Sequence, residues 1–166
     1  MSTFIVRKAR ASDADQFIGL VLELARFERL DPPSPAGRRR LVSDVFKTKR
    51  INLFVAAEGG RLVGYALYFY SYSSFEARPT LYLEDLYVLE PYRRQGVGFA
   101  LFRRCVDEAV AQRCGRMEWA VLTWNVKAQS FYEKLGARRL SDWAYYRLDK
   151  KSLGRIPRAA GGSNRP

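Results

Sequence analysis

In this 166-residue chain the segment best suited to a chemical task is Arg93-Arg94-Gln95-Gly96-Val97-Gly98. Glycines let a backbone approach a bulky phosphate and adopt positive φ. Amides at the head of the helix predicted to follow converge on an anion, which the helix dipole also favours. Two arginines add charge-assisted hydrogen bonds. A Walker loop is excluded because Lys-Ser/Thr is missing. A dinucleotide fingerprint is excluded because Leu101 stands where its third glycine belongs. The plain alternative is a basic strand-to-helix turn that holds nothing. There is no histidine in the chain, so Ser-His-Asp triads, Cys-His pairs and His-containing zinc sites are ruled out. Acid–base work falls to carboxylates, Tyr, Lys, Cys or water. Cys105 and Cys114 lie nine residues apart on one predicted helix, too far to bridge or to share a metal, and no metal is expected.

The elements that must position this loop follow from periodicity. Strands are predicted over Phe4–Lys8, Asn52–Glu58, Arg61–Tyr72, Thr80–Leu89, Met117–Trp124, Ala137–Leu140 and Trp143–Leu148. Gly59-Gly60 reads as a two-residue hairpin turn. Ser12-Asp13 reads as the N-cap of a helix reaching about Arg29, and Arg38–Lys49 as a second amphipathic helix. Asp31-Pro32-Pro33-Ser34-Pro35 breaks the chain between them. A third helix runs from Val97 to about Arg113, with Gly115 after its end. A fourth is capped by Asn125 and ended by Gly136. The predicted fold is α+β, in three layers. A mixed, mostly antiparallel sheet of about seven strands is flanked by four helices, on both faces. Strand alternation puts Glu84 and Asp85 on opposite faces. Residues 1–153 read as one domain and 154–166 as a disordered basic tail.

Hydrophobic residues make up 48% and aromatics 14%, so the chain folds. Neither a secretory leader nor a membrane-length apolar run is visible, and two reduced cysteines fit the cytoplasm. The net charge of +12 has two readings, an anionic partner or a solubilising surface. Aromatic and basic residues interleave at Tyr92-Arg93-Arg94 and Tyr145-Tyr146-Arg147. No nucleic-acid module accompanies them, so neither nucleic acid nor membrane is an expected partner.

Leu81–Val88, the Arg93–Gly98 loop, and Trp124-Asn125 followed by Phe131-Tyr132-Glu-Lys-Leu-Gly136-Ala137 together resemble the GCN5-related N-acetyltransferase (GNAT) family. The likeness covers roughly residues 3–150 and is strongest to the spermidine/spermine and thialysine acetyltransferase branch. Arg93, Gly96 and Gly98 match the family's Arg/Gln-x-x-Gly-x-Gly/Ala pattern. The resemblance implies acetyl-CoA as cosubstrate. Its pyrophosphate would lie on the loop Arg93, Arg94, Gln95, Gly96, Val97, Gly98 and Phe99. Its pantetheine arm would pair with the backbone of Leu86, Tyr87 and Val88, splayed from the next strand. Asn125, Val126, Lys127 and Ala128 match positions that help hold it, although Asn125 also suits a simple helix cap.

The implied reaction is direct acyl transfer to a primary amine. An ammonium has no lone pair, so it must first lose a proton; Glu84, through water, is the candidate acceptor. A buried structural carboxylate is the alternative for Glu84, and Asp85 reads as structural or substrate-binding. Tyr132 matches the family tyrosine that protonates the departing thiolate, against simple packing with Phe131 and Leu135. Phe27, Glu28, Glu84, Glu118, Trp119 and Ala120 are the implied amine site. Ser73-Ser74-Phe75 replaces acidic and aromatic residues of the polyamine branch, and Phe27 replaces a tyrosine. The acceptor expected is therefore a thialysine- or lysine-like amino acid or a short diamine, ahead of a long polyamine. The family implies a homodimer. A non-catalytic CoA- or anion-binding module is the competing reading. It would have no reason to keep Glu84 and Tyr132.

Overall fold

The computed structural model describes residues 4–155. The chain divides into two compact units, Met1–Ala120 and Val121–Pro166. In the first unit, β1 (Ile5–Lys8), β2 (Asn52–Glu58), β3 (Arg61–Ser73), β4 (Arg78–Val88) and β5 (Arg116–Glu118) form one sheet in the order β1-β2-β3-β4-β5. The first four strands are antiparallel neighbours and β5 runs parallel to β4. Helices α1 (Ala14–Glu28) and α2 (Pro35–Phe46) precede β2, and α3 (Val97–Ala111) follows β4. The second unit holds α4 (Val126–Lys134) and the short α5 (Lys150–Leu153).

Alternation along β2 and β3 divides the core. Leu53, Val55, Ala57, Tyr65 and Leu67 face α1 and α2, where Phe17, Leu20 and Val45 meet them. On the other face, Phe54 stacks on Tyr68 at 5.1 Å and lies under the guanidinium of Arg104 from α3. Leu101 and Cys105 of α3 are fully buried. Helices therefore cover both faces, as an α+β layer architecture requires.

The β2–β3 hairpin turns at Gly59 and Gly60, with φ of 54° and 82°, the left-handed pair that a two-residue turn needs. At Gly64 close approach decides the residue. A Cβ there would sit 2.8 Å from the Tyr87 carbonyl and 3.2 Å from Leu101. Glycine thus lets β3, β4 and α3 close together just where β4 ends.

Several expectations are corrected. Five strands form among the described residues, not seven. Ala137–Leu140 and Trp143–Leu148 carry strand-forming residues but lie almost wholly exposed, and no strand of the described residues includes them. Propensity alone does not hold a strand without a ladder and a packed face. The strand expected over Met117–Trp124 stops at Glu118, opposite Tyr82, where β4 becomes irregular two residues later. Helix α2 starts at Pro35, not Arg38. Ser34 accepts from the Gly37 amide, and proline suits the first helical position. Asp13 does precede α1, but its carboxylate binds Arg7 at 2.7 and 2.9 Å and the Arg10 amide rather than capping. Arg113, at φ 55°, makes the left-handed exit from α3 expected of a glycine. Gly115 instead keeps space against Glu76 and Arg78. A fifth helix, α5, forms where Asp149 caps Ser152. The tail expected from Gly154 lies outside the described residues apart from Gly154 and Arg155.

Gly64→Ala should cost about 1–3 kcal/mol through overpacking. The denaturation midpoint of the variant checks this; a wild-type midpoint would show that β3 and β4 yield without cost.

Candidate functional site

The site in the first unit starts from one irregularity in the β3–β4 ladder. Leu67 pairs with Asp85, but the next residue, Tyr68, pairs with Leu83. Glu84 is the extra residue of a β-bulge. A bulge leaves one residue unpaired, bends the strand and re-aims side chains. Strict alternation would give Leu83 and Asp85 the same face. Instead Leu83 shares the α3 face with Tyr68, while Asp85 shares the α1 face with Leu67 and meets Tyr65. Glu84, read from the sequence on the face opposite Asp85, is exposed, and its charge acts both on Asp85 and on Glu28 at the end of α1.

Burial raises the Glu28 carboxyl, and the Glu84 charge raises it further. Asp85 is pushed up to about 7, first by burial and then by the Glu84 charge. The fully buried Tyr65 hydroxyl donates to Asp85 at 3.1 Å, which partly opposes that rise. Glu84 is exposed. The charges of Glu28, Glu84 and Asp85 act on one another, and an exposed carboxylate such as Glu84 can accept a proton. The sequence singles out Glu84 and Glu28, reads Asp85 as structural or substrate-binding, and gives no sign of Tyr65 beside it. Two adjacent acids inside an apolar strand were the available sign of a bulge.

Beyond Tyr82 no described strand pairs with the second edge of β4. Leu86, Tyr87 and Val88 keep their partners on the β3 side only, at Ala66, Tyr65 and Gly64. Their other edge can take an extended, amide-bearing ligand. The chain then turns through Glu90–Tyr92 into the basic loop. Gln95 donates to the Pro91 carbonyl at 2.7 Å and braces that turn. Arg94 and Gly96 both take positive φ, 61° and 83°, and both are exposed. The Ala100 amide bonds to the Gly96 carbonyl, so the amides of Val97, Gly98 and Phe99 precede the first helical hydrogen bond. These amides suit a pyrophosphate, and a Cβ at Gly96 would meet open space. Arg93 is placed differently: it is half-buried, its Nε donates to the Val88 carbonyl at 2.9 Å, and its guanidinium lies over Phe27.

Glu118 pairs with Arg116 at 2.8 Å. The Trp119 ring stands edge-on to Phe102 of α3 at 5.4 Å, so it lies on the α3 side, and Ala120 is exposed. Phe27 thus meets Tyr87 and Arg93, Glu28 lies within reach of the Glu84 charge, and Trp119 stands on the α3 side of the sheet. In the second unit, Asn125 caps α4 by accepting from the Ala128 amide at 3.2 Å. Gln129 donates to the Leu122 and Thr123 carbonyls and fixes the turn before α4. Val126 and Lys127 are exposed, Tyr132 is half-buried with its ring 5.1 Å from Phe131, and Gly136 leaves the helix at φ 87°. Among the described residues no cluster of three or more His, Cys, Asp or Glu could hold a metal ion, and no helix is long and apolar enough to cross a membrane.

The family model for the Acetyltransferase (GNAT) family matches residues 19–137. The chain is 32% identical over 165 residues to thialysine N-epsilon-acetyltransferase of Bos taurus, covering 92% of this chain and 96% of that protein. It is 41% identical over 95 residues to L-ornithine N5-acetyltransferase of Arabidopsis thaliana, covering 57% of this chain and 42% of that one. Among solved structures, a probable acetyltransferase superposes with a TM-score of 0.77 at 24% identity, over 87% of this chain and 97% of that one. A V. cholerae integron cassette protein gives the same TM-score at 23% identity, over 93% and 96%. Likeness at that identity speaks for the fold.

A raised carboxyl makes stability pH-dependent. Asp85 holds its proton in the folded state up to about pH 7, whereas the unfolded chain loses it near 3.8. The folded state thus binds more protons between these values, and stability falls as pH rises through that window. Asp85→Asn should remove this loss. Relative to wild type its melting temperature should be higher at pH 8 than at pH 5, by on the order of 1 kcal/mol in stability. An equal difference at both pH values would contradict a raised Asp85.

Proposed function

The chain belongs to the acetyltransferase (GNAT) family and is an N-acetyltransferase, and from that premise we propose that its acceptor is a small primary amine bound at Glu28, Glu84 and Asp85. The observation that carries this is the bulge at Glu84, which leaves Glu84 unpaired and exposed beside the open edge of β4 and sets Asp85 against Tyr65. A thialysine- or lysine-like amino acid, or a short diamine, fits best. Ser73-Ser74-Phe75, in place of the acidic and aromatic residues of the polyamine branch, weighs against a long polycation. The names of the thialysine and ornithine relatives agree with an amino acid bearing a side-chain amine.

Acetyl-CoA, when bound, supplies the acetyl thioester. The amides of Val97, Gly98 and Phe99, with Arg94, hold the pyrophosphate, and Leu86–Val88 hold the arm by backbone pairing. Glu84 takes the proton from the ammonium, directly or through water. Asp85 and Glu28 hold the amine's charge. Tyr132 Oη would be the donor of a proton to the departing sulfur, the role that the family resemblance implies. Asn125 to Ala128 contribute to the cofactor site while Asn125 caps α4. Residues 1–153 as a single acetyltransferase domain are part of the proposal, supported by the family match over residues 19–137. A cytoplasmic homodimer is part of the proposal; a single monomeric species in sedimentation at working concentration would remove the dimer.

The test is thiol release from acetyl-CoA across thialysine, lysine, ornithine, putrescine and spermidine. Release should be fastest with the amino acids. CoA binding without release from any amine would instead support a non-catalytic module. Tyr132→Phe should lower kcat about a hundredfold while leaving acetyl-CoA affinity within about twofold. An unchanged rate ends the acid assignment.

A further inference from the structure

We propose that Arg93 is a positioning residue that clamps the cofactor loop to the end of α1, and that the phosphate charge is met by Arg94 and the α3 amides. This rests on the acetyl-CoA reading of the loop and goes beyond it. The Arg93 guanidinium lies 4.8 Å from the centre of the Phe27 ring and 5.5 Å from that of Tyr87. The two rings are themselves in tilted contact at 6.4 Å. Nε of Arg93 donates to the Val88 carbonyl, so the side chain is bound to β4 and stacked on α1 together. Its neighbour Arg94 is exposed and left-handed, beside Gly96 and the open amides. Two consecutive arginines therefore have different tasks. A stacked, hydrogen-bonded guanidinium fixes geometry, and an exposed one supplies charge.

The consequence is a mechanical link between two halves of the reaction. Phe27 is the penultimate residue of α1 and Glu28, one of the amine-site carboxyls, is the last. A change at the end of α1 reaches Arg93 through one ring, and Arg93 begins the loop. Binding at either place then alters affinity at the other by the same factor. Phe27 needs only its ring for this, so phenylalanine serves where a hydroxyl would add nothing.

Calorimetric titration with CoA, without amine and without turnover, tests the clamp. Phe27→Leu and Arg93→Lys should each weaken CoA binding about fivefold, because each removes the same planar stack. The double variant should stay near the single ones, far short of the roughly 25-fold product expected of independent sites. Phe27→Tyr keeps the ring and should bind as wild type. Arg94→Gln should both weaken binding and flatten its salt dependence, whereas Arg93→Lys leaves the salt dependence intact. If Phe27→Leu does not give a wild-type circular dichroism spectrum, Phe27→Met replaces it with the same expectation. Wild-type affinity in the ringless variant, or a fully multiplicative double variant, overturns the clamp. Failure of the unaltered chain to bind CoA overturns the cofactor reading instead.

Discussion

One extra residue in β4 governs the arrangement. The β3–β4 ladder keeps strict register from Arg78 to Leu83 and again from Asp85 to Val88, with a slip of one residue at Glu84. Because side chains alternate with period two, a slip of one exchanges faces. Leu81 and Leu83 stay buried on one side of the slip, and Tyr87 meets Tyr65 and Phe27 on the other. An unbulged strand would turn either the apolar residues or the carboxyls the wrong way. The β4–β5 pairing stops at Tyr82, two residues before the slip, so Glu84 and Asp85 lie beside an edge that a ligand can use.

The close contact at Gly64 works from the opposite side of the same ladder. It brings Tyr87, Val88 and Leu101 together, and Val88 accepts from Arg93. The end of β4, the start of α3 and the last turn of α1 are therefore held by backbone contacts, a buried leucine and a stacked guanidinium. The loop that exposes Arg94 and Gly96 is mounted on rigid elements, and a site mounted this way needs little ordering when its ligand arrives.

Much of this was legible in the sequence, for identifiable reasons. The Gly59-Gly60 turn, the β2 boundaries, the start of α3 and the Asn125 cap each depend on local chemistry: positive φ, alternation, helical spacing and a side-chain oxygen. The loop was legible because glycine and arginine have few other uses at a strand-to-helix turn. Other features depend on partners distant in the chain. The bulge needs the β3 register to be visible. The end of β5 at Glu118 depends on a distant partner too, since Glu118 pairs with Tyr82 just before that bulge. Ala137–Leu140 and Trp143–Leu148 look like strands because propensity does not state whether a neighbour is available. The placement of Arg93 over Phe27 is likewise invisible in the sequence, because the two are distant in the chain.

The central claim is that the amides opening α3, next to Arg94, receive the cofactor's pyrophosphate while β4 receives its arm. Nuclear magnetic resonance of the ¹⁵N-labelled chain during CoA titration addresses it residue by residue. The largest saturable shifts should fall on the amides of Gly96, Val97, Gly98 and Phe99, with a second set at Leu86–Val88. Shifts confined to scattered basic residues such as Arg38–Arg40, with the α3 amides unmoved, would contradict the account.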